Sequence, residues 1–528
     1  MERVMTPLQK KRASFQPPLP KILKDLKKFT FEGKGDSSAL GDVKAIASHF
    51  PHTFGNPILY PALKKDSAAK PLKVGVVLSG GQASGGHNVI TGLFDALKNF
   101  HAESQLLGFL GGPLGIIEGR FKELSENVIA PYRNQGGFDI IGSGRTKIET
   151  EKQLSQSLEV IQKLQLDGLV IIGGDDSNTN AAVLGEFLIA KGCRAKVIGV
   201  PKTIDGDLKN AFVETSFGFH TACQTYAEMI GNIARDALSA KKYTHFIKLM
   251  GRSASHVALE CAMQTQPNLT FIGEEVAAKR QTLKEVTLQI ADLIEQRGNH
   301  GKNYGVILIP EGLIEFMPDM KVLIGELNEL LAEGKNEKEL STAAGETFRF
   351  LPQEIQHQLL LDRDPHGNVQ VSHIQTELLL STLVKEELDS RSSFKGTFSP
   401  VHHFFGYEGR CGFPTNFDTT YCYALGHVAA LLIREGYTGY MSCVRHLTQT
   451  PENWEICGIP LTSLMHLETR KGKQKPVIQK ALVDLNGESF KRFEQIRLQW
   501  KVDDHYLFPG PIQFDGDPIY TECVPKTL

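Results

Sequence analysis

Long apolar runs are missing from this 528-residue chain. None approaches the roughly 20 apolar residues that a membrane span needs, so no membrane partner is expected. An excess of charge of one sign is missing too: 58 Lys and Arg stand against 60 Asp and Glu, a net charge of -2. That balance speaks against nucleic acid or an acidic membrane as the main partner, so an anionic substrate would need cations gathered locally. Cysteine is sparse and scattered, eight residues with no C-x-x-C pair and no metal-finger spacing. Reduced thiols in a cytoplasmic protein follow. The basic opening stretch MERVMTPLQKKRASFQPPLPKILKDLKKF carries no apolar core like that of a secretory signal. It reads as a surface extension followed by an amphipathic turn rather than a transit peptide.

A chain of this length exceeds one compact core and implies two to four domains or one elaborated pair. From Lys73 onward, apolar runs alternate with glycine-rich turns and segments of helical spacing, the grammar of an α/β protein with a largely parallel sheet. KVGVVLS (73–79), SQLLGFLGG (104–112), LDGLVIIGG (166–174) and RAKVIGVPKT (194–203) are the strand candidates of a first sheet. YTHFIKLMGR (243–252), LTFIGEE (269–275) and YGVILIPEG (304–312) are those of a second, with helices over SHVALECAMQT and over 280–298. Residues 313–400 lose the strand rhythm and read as a helical insert with polar interruptions such as DRDPHGN (362–368). HFFGYEGRCGFPTNFDTTYCYALGHVAALL then returns to strand, turn and long apolar helix, and the last eighty or so residues carry no legible motif.

In open α/β sheets ligands sit beyond the carboxyl ends of strands, so the turns carry the chemistry. GGQASGGHN (80–88) can converge backbone N–H groups on phosphate oxygens, although it is neither G-x-G-x-x-G nor a Walker A loop and a plain tight turn would look similar. GSGRTK (142–147) sets Arg145 and Lys147 beside glycines, which suits a polyphosphate or an ordinary solvated loop. GGDDSN (173–178) puts Asp175 at a strand end, as a ligand for Mg²⁺ or a helix cap. PKTIDGDLKN (201–210) gathers Lys202, Thr203, Asp205 and Asp207, where an aspartate can take a hydroxyl proton while Lys and Thr steady a phosphoryl group. LMGR (249–252), IPEG (309–312) and GYEGR (406–410) add Arg252 and Arg410 as phosphate forks and Glu311 as an acceptor for sugar hydroxyls.

In this order the seven turns resemble the phosphofructokinase family over roughly residues 71–440. The resemblance implies two Rossmann-like doubly wound domains facing a cleft, with the helical insert and terminal extensions. The implied boundaries are 1–70 for an N-terminal extension, 71–216 with 409–470 for a pyrophosphate and magnesium domain, and 217–408 with 471–528 for a fructose 6-phosphate domain. Asp176 and Lys202 resemble the pyrophosphate-dependent branch, since ATP users typically carry glycine at both positions, and the length resembles that branch's long form, similar to the plant β subunit. Asp176 would then fill the place of a nucleotide's α-phosphate while Lys202 holds the short donor.

The resemblance further implies that Asp175 holds Mg²⁺ and that Gly80 and Gly81, with Arg145 and Lys147, bind the diphosphate. Asp205 is the implied proton acceptor, aided by Thr203, and also contacts substrate. Met250, Gly251, Arg252, Glu311 and the turn Tyr407, Glu408, Gly409 and Arg410 would bind the sugar phosphate, Arg252 also serving catalysis. Lys242 and Tyr243 match positions that the family supplies from a neighbouring subunit, implying a homodimer or higher oligomer with a shared site. The implied reaction runs both ways between fructose 6-phosphate with pyrophosphate and fructose 1,6-bisphosphate with phosphate. Ser84 departs from the family's usual Pro without removing an N–H donor, and no ATP-type effector site is traceable. An ATP-dependent kinase and a noncatalytic regulatory subunit are the rival readings; Asp176 with Lys202 argues against the first, and the presence of Asp205, Asp175 and Arg252 against the second.

Overall fold

Val74, Val76 and Leu78 turn to one buried layer and Val77 to another, so the strand they form is covered on both faces. A computed structural model of the chain describes residues 4–64, 70–361, 369, 373–470 and 473–528; the polar interruption at 362–368 lies outside the described residues. The strands in chain order are β1 (Phe29–Lys34), β2 (Ile58–Leu63), β3 (Lys73–Ser79), β4 (Gln105–Phe109), β5 (Phe121–Glu123), β6 (Ser143–Gly144), β7 (Gly168–Gly173) and β8 (Lys196–Pro201). There follow β9 (Thr244–Leu249), β10 (Leu269–Thr270), β11 (Gly305–Pro310), β12 (Pro400–Phe405), β13 (Tyr440–Arg445), β14 (Glu455–Pro460), β15 (Met465–Arg470) and β16 (Lys473–Ile478).

Ten strands make a large sheet in the order β1-β2-β14-β13-β8-β7-β3-β4-β5, with β6 beside β3. Its centre is parallel, and antiparallel strands finish both ends. Helices Gly86–Phe100 and Asn416–Arg434 cover one face; Glu151–Lys163 and Asp175–Ala190 cover the other, as expected of a doubly wound sheet. A smaller, wholly parallel sheet runs β10-β11-β9-β12. Helix Phe219–Ala240 joins the two, and one apolar core runs from Val76 and Ile172 through Ala222 and Ile230 to Ile247 and Leu308. The insert forms helices Leu313–Phe316, Pro318–Ala332, Thr342–Phe350, Gln353–Leu361 and Thr376–Ser390, whose apolar sides pack with Phe246, Ile307 and Ile309 of the small sheet.

The structure differs from expectation at three places. The segment 1–70 is no mere extension, because β1 and β2 pair with each other and β2 docks on β14. The alternation that would have marked them as strands is weak because β1 is the edge strand and β2, beside it, is mostly half-buried. LTFIGEE is strand for only two residues, since helix Gly273–Ala278 begins with Glu274 and Glu275, carboxylates that favour a helix N-terminus. The tail without a motif supplies β14 to β16 and helix Glu488–Val502. The hairpin β15–β16 lies against helix Asp175–Ala190, while helix Glu488–Val502 lies against the small sheet.

Candidate active site

The registers Leu78↔Ile172 and Gly173↔Pro201 bring β3, β7 and β8 to an end at one level, and Leu249 pairs with both Pro310 and Phe405 in the small sheet. Every turn singled out above, except that of Lys242 and Tyr243, therefore opens at a carboxyl end. Gly80 holds φ 85, a region that favours glycine, and donates its N–H to Gly144 O at 2.9 Å. A side chain there would meet the Lys202 ammonium at 3.4 Å, and one at Gly81 would meet Arg410 Nη1 at 2.8 Å. Both glycines leave room for cations.

Lys202 is buried beneath this loop. Burial, with help from Arg410, pulls its pKa down to about 8 against the opposing pull of Asp205, Asp175 and Asp207. Asp175 opens helix Asp175–Ala190 with its side chain 21% exposed. Its neighbour Asp176 points toward Lys147, at 3.4 Å, and is 48% exposed. The adjacent carboxylates thus serve different cations. Arg145 is exposed at the same rim.

In the fourth turn, after β8, Thr203 Oγ1 accepts the Asp205 N–H at 3.1 Å, and Ser216 Oγ donates to the Thr203 carbonyl at 2.9 Å. Asp205 follows the carboxyl end of β8, three residues after the buried Lys202. Asp207 is buried; desolvation and the nearby Asp205 push its pKa up to about 7, while Lys480 opposes the shift.

On the small-sheet side, Glu311 Oε2 accepts the Gly251 N–H at 3.0 Å. Burial raises its pKa, Asp205 adds to the rise, and the Gly251 bond and Arg252 resist it. Met250 is buried and donates its N–H to Phe405 O at 2.9 Å, whereas Arg252 is exposed. Glu408 accepts the Gly406 N–H at 2.7 Å, Gly409 sits on the Tyr226 ring, and Tyr407 is 77% exposed. Arg410 reaches the other lobe, donating to Gln82 O at 3.1 Å. It bridges the halves.

Lys242 and Tyr243 are not brought into this cleft. They precede β9, whose six residues separate them from Met250 by about 20 Å of strand. Lys242 Nζ instead lies over the Tyr243 ring, 5.0 Å from its centre.

Lys480 is the residue that sequence reasoning missed. Its ammonium lies 3.8 Å from Asp175 Oδ2 and 3.7 Å from Asp207 Oδ2. Burial would lower its pKa, yet Asp175, Asp207, Asp205 and Asp176 outweigh it and the net shift is upward. One lysine in KPVIQKALVD has no local signature; only the path of the tail over the cleft places it there.

Two α/β lobes with level strand ends, glycine turns, carboxylates and clustered cations at their junction define a phosphate-handling protein of the Rossmann-like class. The sequence model of the phosphofructokinase family matches residues 73–433, and the chain belongs to that family. The pyrophosphate–fructose 6-phosphate 1-phosphotransferase of Treponema pallidum is 51% identical over 97% of this chain and 94% of its own. Subunit beta 2 of the enzyme of that name from Arabidopsis thaliana is 53% identical over 97% and 92%. The crystal structure of a pyrophosphate-dependent phosphofructokinase from Nitrosospira multiformis shares the fold, with a TM-score of 0.56 at 15% identity over 85% of this chain and 95% of that one.

Proposed function

We infer that this chain transfers a phosphoryl group reversibly between pyrophosphate and the 1-hydroxyl of fructose 6-phosphate, giving fructose 1,6-bisphosphate and phosphate. The observation that carries the reading is the turn that follows β8, which sets Asp205 three residues after the buried Lys202 with its N–H held by Thr203 Oγ1. A carboxylate there can take the hydroxyl proton as the sugar oxygen attacks phosphorus, and return it in the reverse direction. Lys202 and Arg410 spread the charge of the transferring group, and Thr203 with its bonded turn holds Asp205 in place. Gly80, Gly81, Arg145 and Lys147 bind the diphosphate; Met250, Gly251, Arg252, Glu311 and the Tyr407–Arg410 turn bind the sugar phosphate.

Asp175 is the residue suited to hold Mg²⁺. Its hard oxygen already faces an ammonium it shares with Asp207, so the locus accepts positive charge. Mg²⁺ bound there would neutralise phosphate oxygens during transfer. Mg²⁺ keeps several waters and takes ligands from substrate phosphates, so one or two carboxylates suffice to hold it.

Asp176, exposed beside Lys147 at the rim, excludes nucleotides by charge and volume. Lys242 and Tyr243, remote from their own cleft, serve that of a neighbouring copy, so the working form is at least a homodimer. No helix among the described residues is long and apolar enough to cross a membrane, and the eight free thiols support a cytoplasmic setting.

The direct test is coupled formation of fructose 1,6-bisphosphate from fructose 6-phosphate and Mg²⁺ with either pyrophosphate or ATP. Turnover with pyrophosphate and not with ATP is expected, and the opposite result would return the chain to the ATP-dependent reading. Asp176→Gly should admit some ATP; if ATP stays wholly unused, the exclusion lies elsewhere in the rim.

A further inference from the structure

The tail enters the cleft along a path that fastens it to both lobes. Gln479 N–H donates to Leu464 O at 2.9 Å, and Ala481 N–H to Asp207 O at 2.7 Å. On the other side, the His256 ring meets Ala481 O at 3.0 Å, and Val483 N–H donates to Glu274 Oε1 at 3.0 Å. These anchors fix the backbone on either side of Lys480 and leave its four-carbon stem free to aim. Such placement needs a reason.

The ammonium carries three N–H donors. Among the described residues its hydrogen bond goes to Ser253 Oγ, at 3.0 Å, a neutral hydroxyl directly after Arg252. Asp175 and Asp207, at 3.8 and 3.7 Å, attract it without coming within ordinary hydrogen-bond range. With 37% of the side chain exposed, the remaining donors face a cleft in which Asp175, Asp176, Asp205 and Asp207 gather. An anionic donor entering among four carboxylates needs every cation within reach.

We propose that Lys480 is a further donor-binding residue of the transfer reaction: it neutralises the Asp175–Asp207 pair in the empty cleft and turns to the phosphate oxygens of Mg²⁺–pyrophosphate when that donor binds. This rests on the pyrophosphate reading of the site and names a residue from outside the family-matched segment, which ends at 433. A lysine suits this task better than an arginine fork, since a flexible point charge can change partners.

The test is titration calorimetry of Mg²⁺–pyrophosphate, with no sugar acceptor present, against the wild-type chain, Lys480→Met and Lys480→Arg. Lys480→Met should weaken donor binding by about 10–100-fold, the usual worth of a charge-assisted contact. Lys480→Arg should recover most of it, and KM for fructose 6-phosphate should stay within about twofold in both. Equal donor affinity in folded Lys480→Met overturns the proposal. Should that variant fail to fold, amine-reactive labelling of the wild-type chain decides: Mg²⁺–pyrophosphate should slow modification of Lys480 in the peptide map, and an unchanged or faster rate overturns it. A wild-type chain that neither binds nor uses pyrophosphate overturns the functional reading as well, whereas normal wild-type turnover with an unaffected Lys480→Met overturns the role of Lys480 by itself.

Discussion

In the proposed reaction Asp205 and Lys202 divide the chemistry between a base and an electrostatic anchor. Asp205→Ser should lower kcat by about 10²-fold or more, the usual contribution of a general base, while fructose 6-phosphate binding and the circular dichroism spectrum stay close to wild type. Unchanged turnover would remove Asp205 from that role. Lys202 has a pKa lowered to about 8 and must be charged to hold the donor. It is charged below that pH and neutral above it. The KM for pyrophosphate should therefore rise by about tenfold per unit above pH 8 in the free enzyme, while the KM for fructose 6-phosphate does not follow. Bound donor favours the protonated lysine, so kcat should decline at a higher pH than kcat/KM. A flat pyrophosphate profile from pH 7 to 10 would count against the charge of Lys202. The PKTIDGD turn made both residues legible in the sequence, because strand-end turns concentrate phosphate chemistry locally. The partner of Asp176 was not legible: Lys147 meets it only because β6 runs beside β3.

Helices Gly86–Phe100 and Asn416–Arg434 press together at glycines. A side chain at Gly92 would come within 2.2 Å of the Tyr423 carbonyl oxygen, and one at Gly426 within 2.3 Å of that of Val89. The reciprocal contact lets the first helix stand close behind the glycine loop that it follows. Gly92→Ala should destabilise the fold by about 1–3 kcal/mol through overpacking, read as a lower denaturant midpoint. An unchanged midpoint would mean that the helices part without loss. The apolar spacing of both helices can be read from the sequence, but their mutual approach cannot, since hundreds of residues separate them. The same distance hid β1 and β2, which join the sheet only through β14, and the hairpin β15–β16, where Ile478 N–H donates to Thr179 Oγ1 at 3.1 Å.

Across the full chain, the remoteness of Lys242 from its own cleft leads to a mixing experiment. Lys242→Met alone should raise the KM for fructose 6-phosphate by about tenfold or more, as loss of a charged phosphate contact predicts. When Lys242→Met and Asp205→Ser chains are dissociated and reassembled together, hybrids should contain some clefts with both residues intact. Recovered turnover well above either variant is expected; absence of recovery in verified hybrids would show that each cleft is built from one chain.

Alternation of apolar runs with glycine turns determined the parallel α/β plan, and the residue types in those turns determined the phosphoryl chemistry, because each depends on neighbours within about ten residues. The level strand ends, the bridge from Arg410 to Gln82 and the arrival of Lys480 between Asp175 and Asp207 were decided only by the tertiary structure. Those contacts join segments far apart in the chain, and their geometry comes from sheet register and packing, which no local pattern of residues encodes.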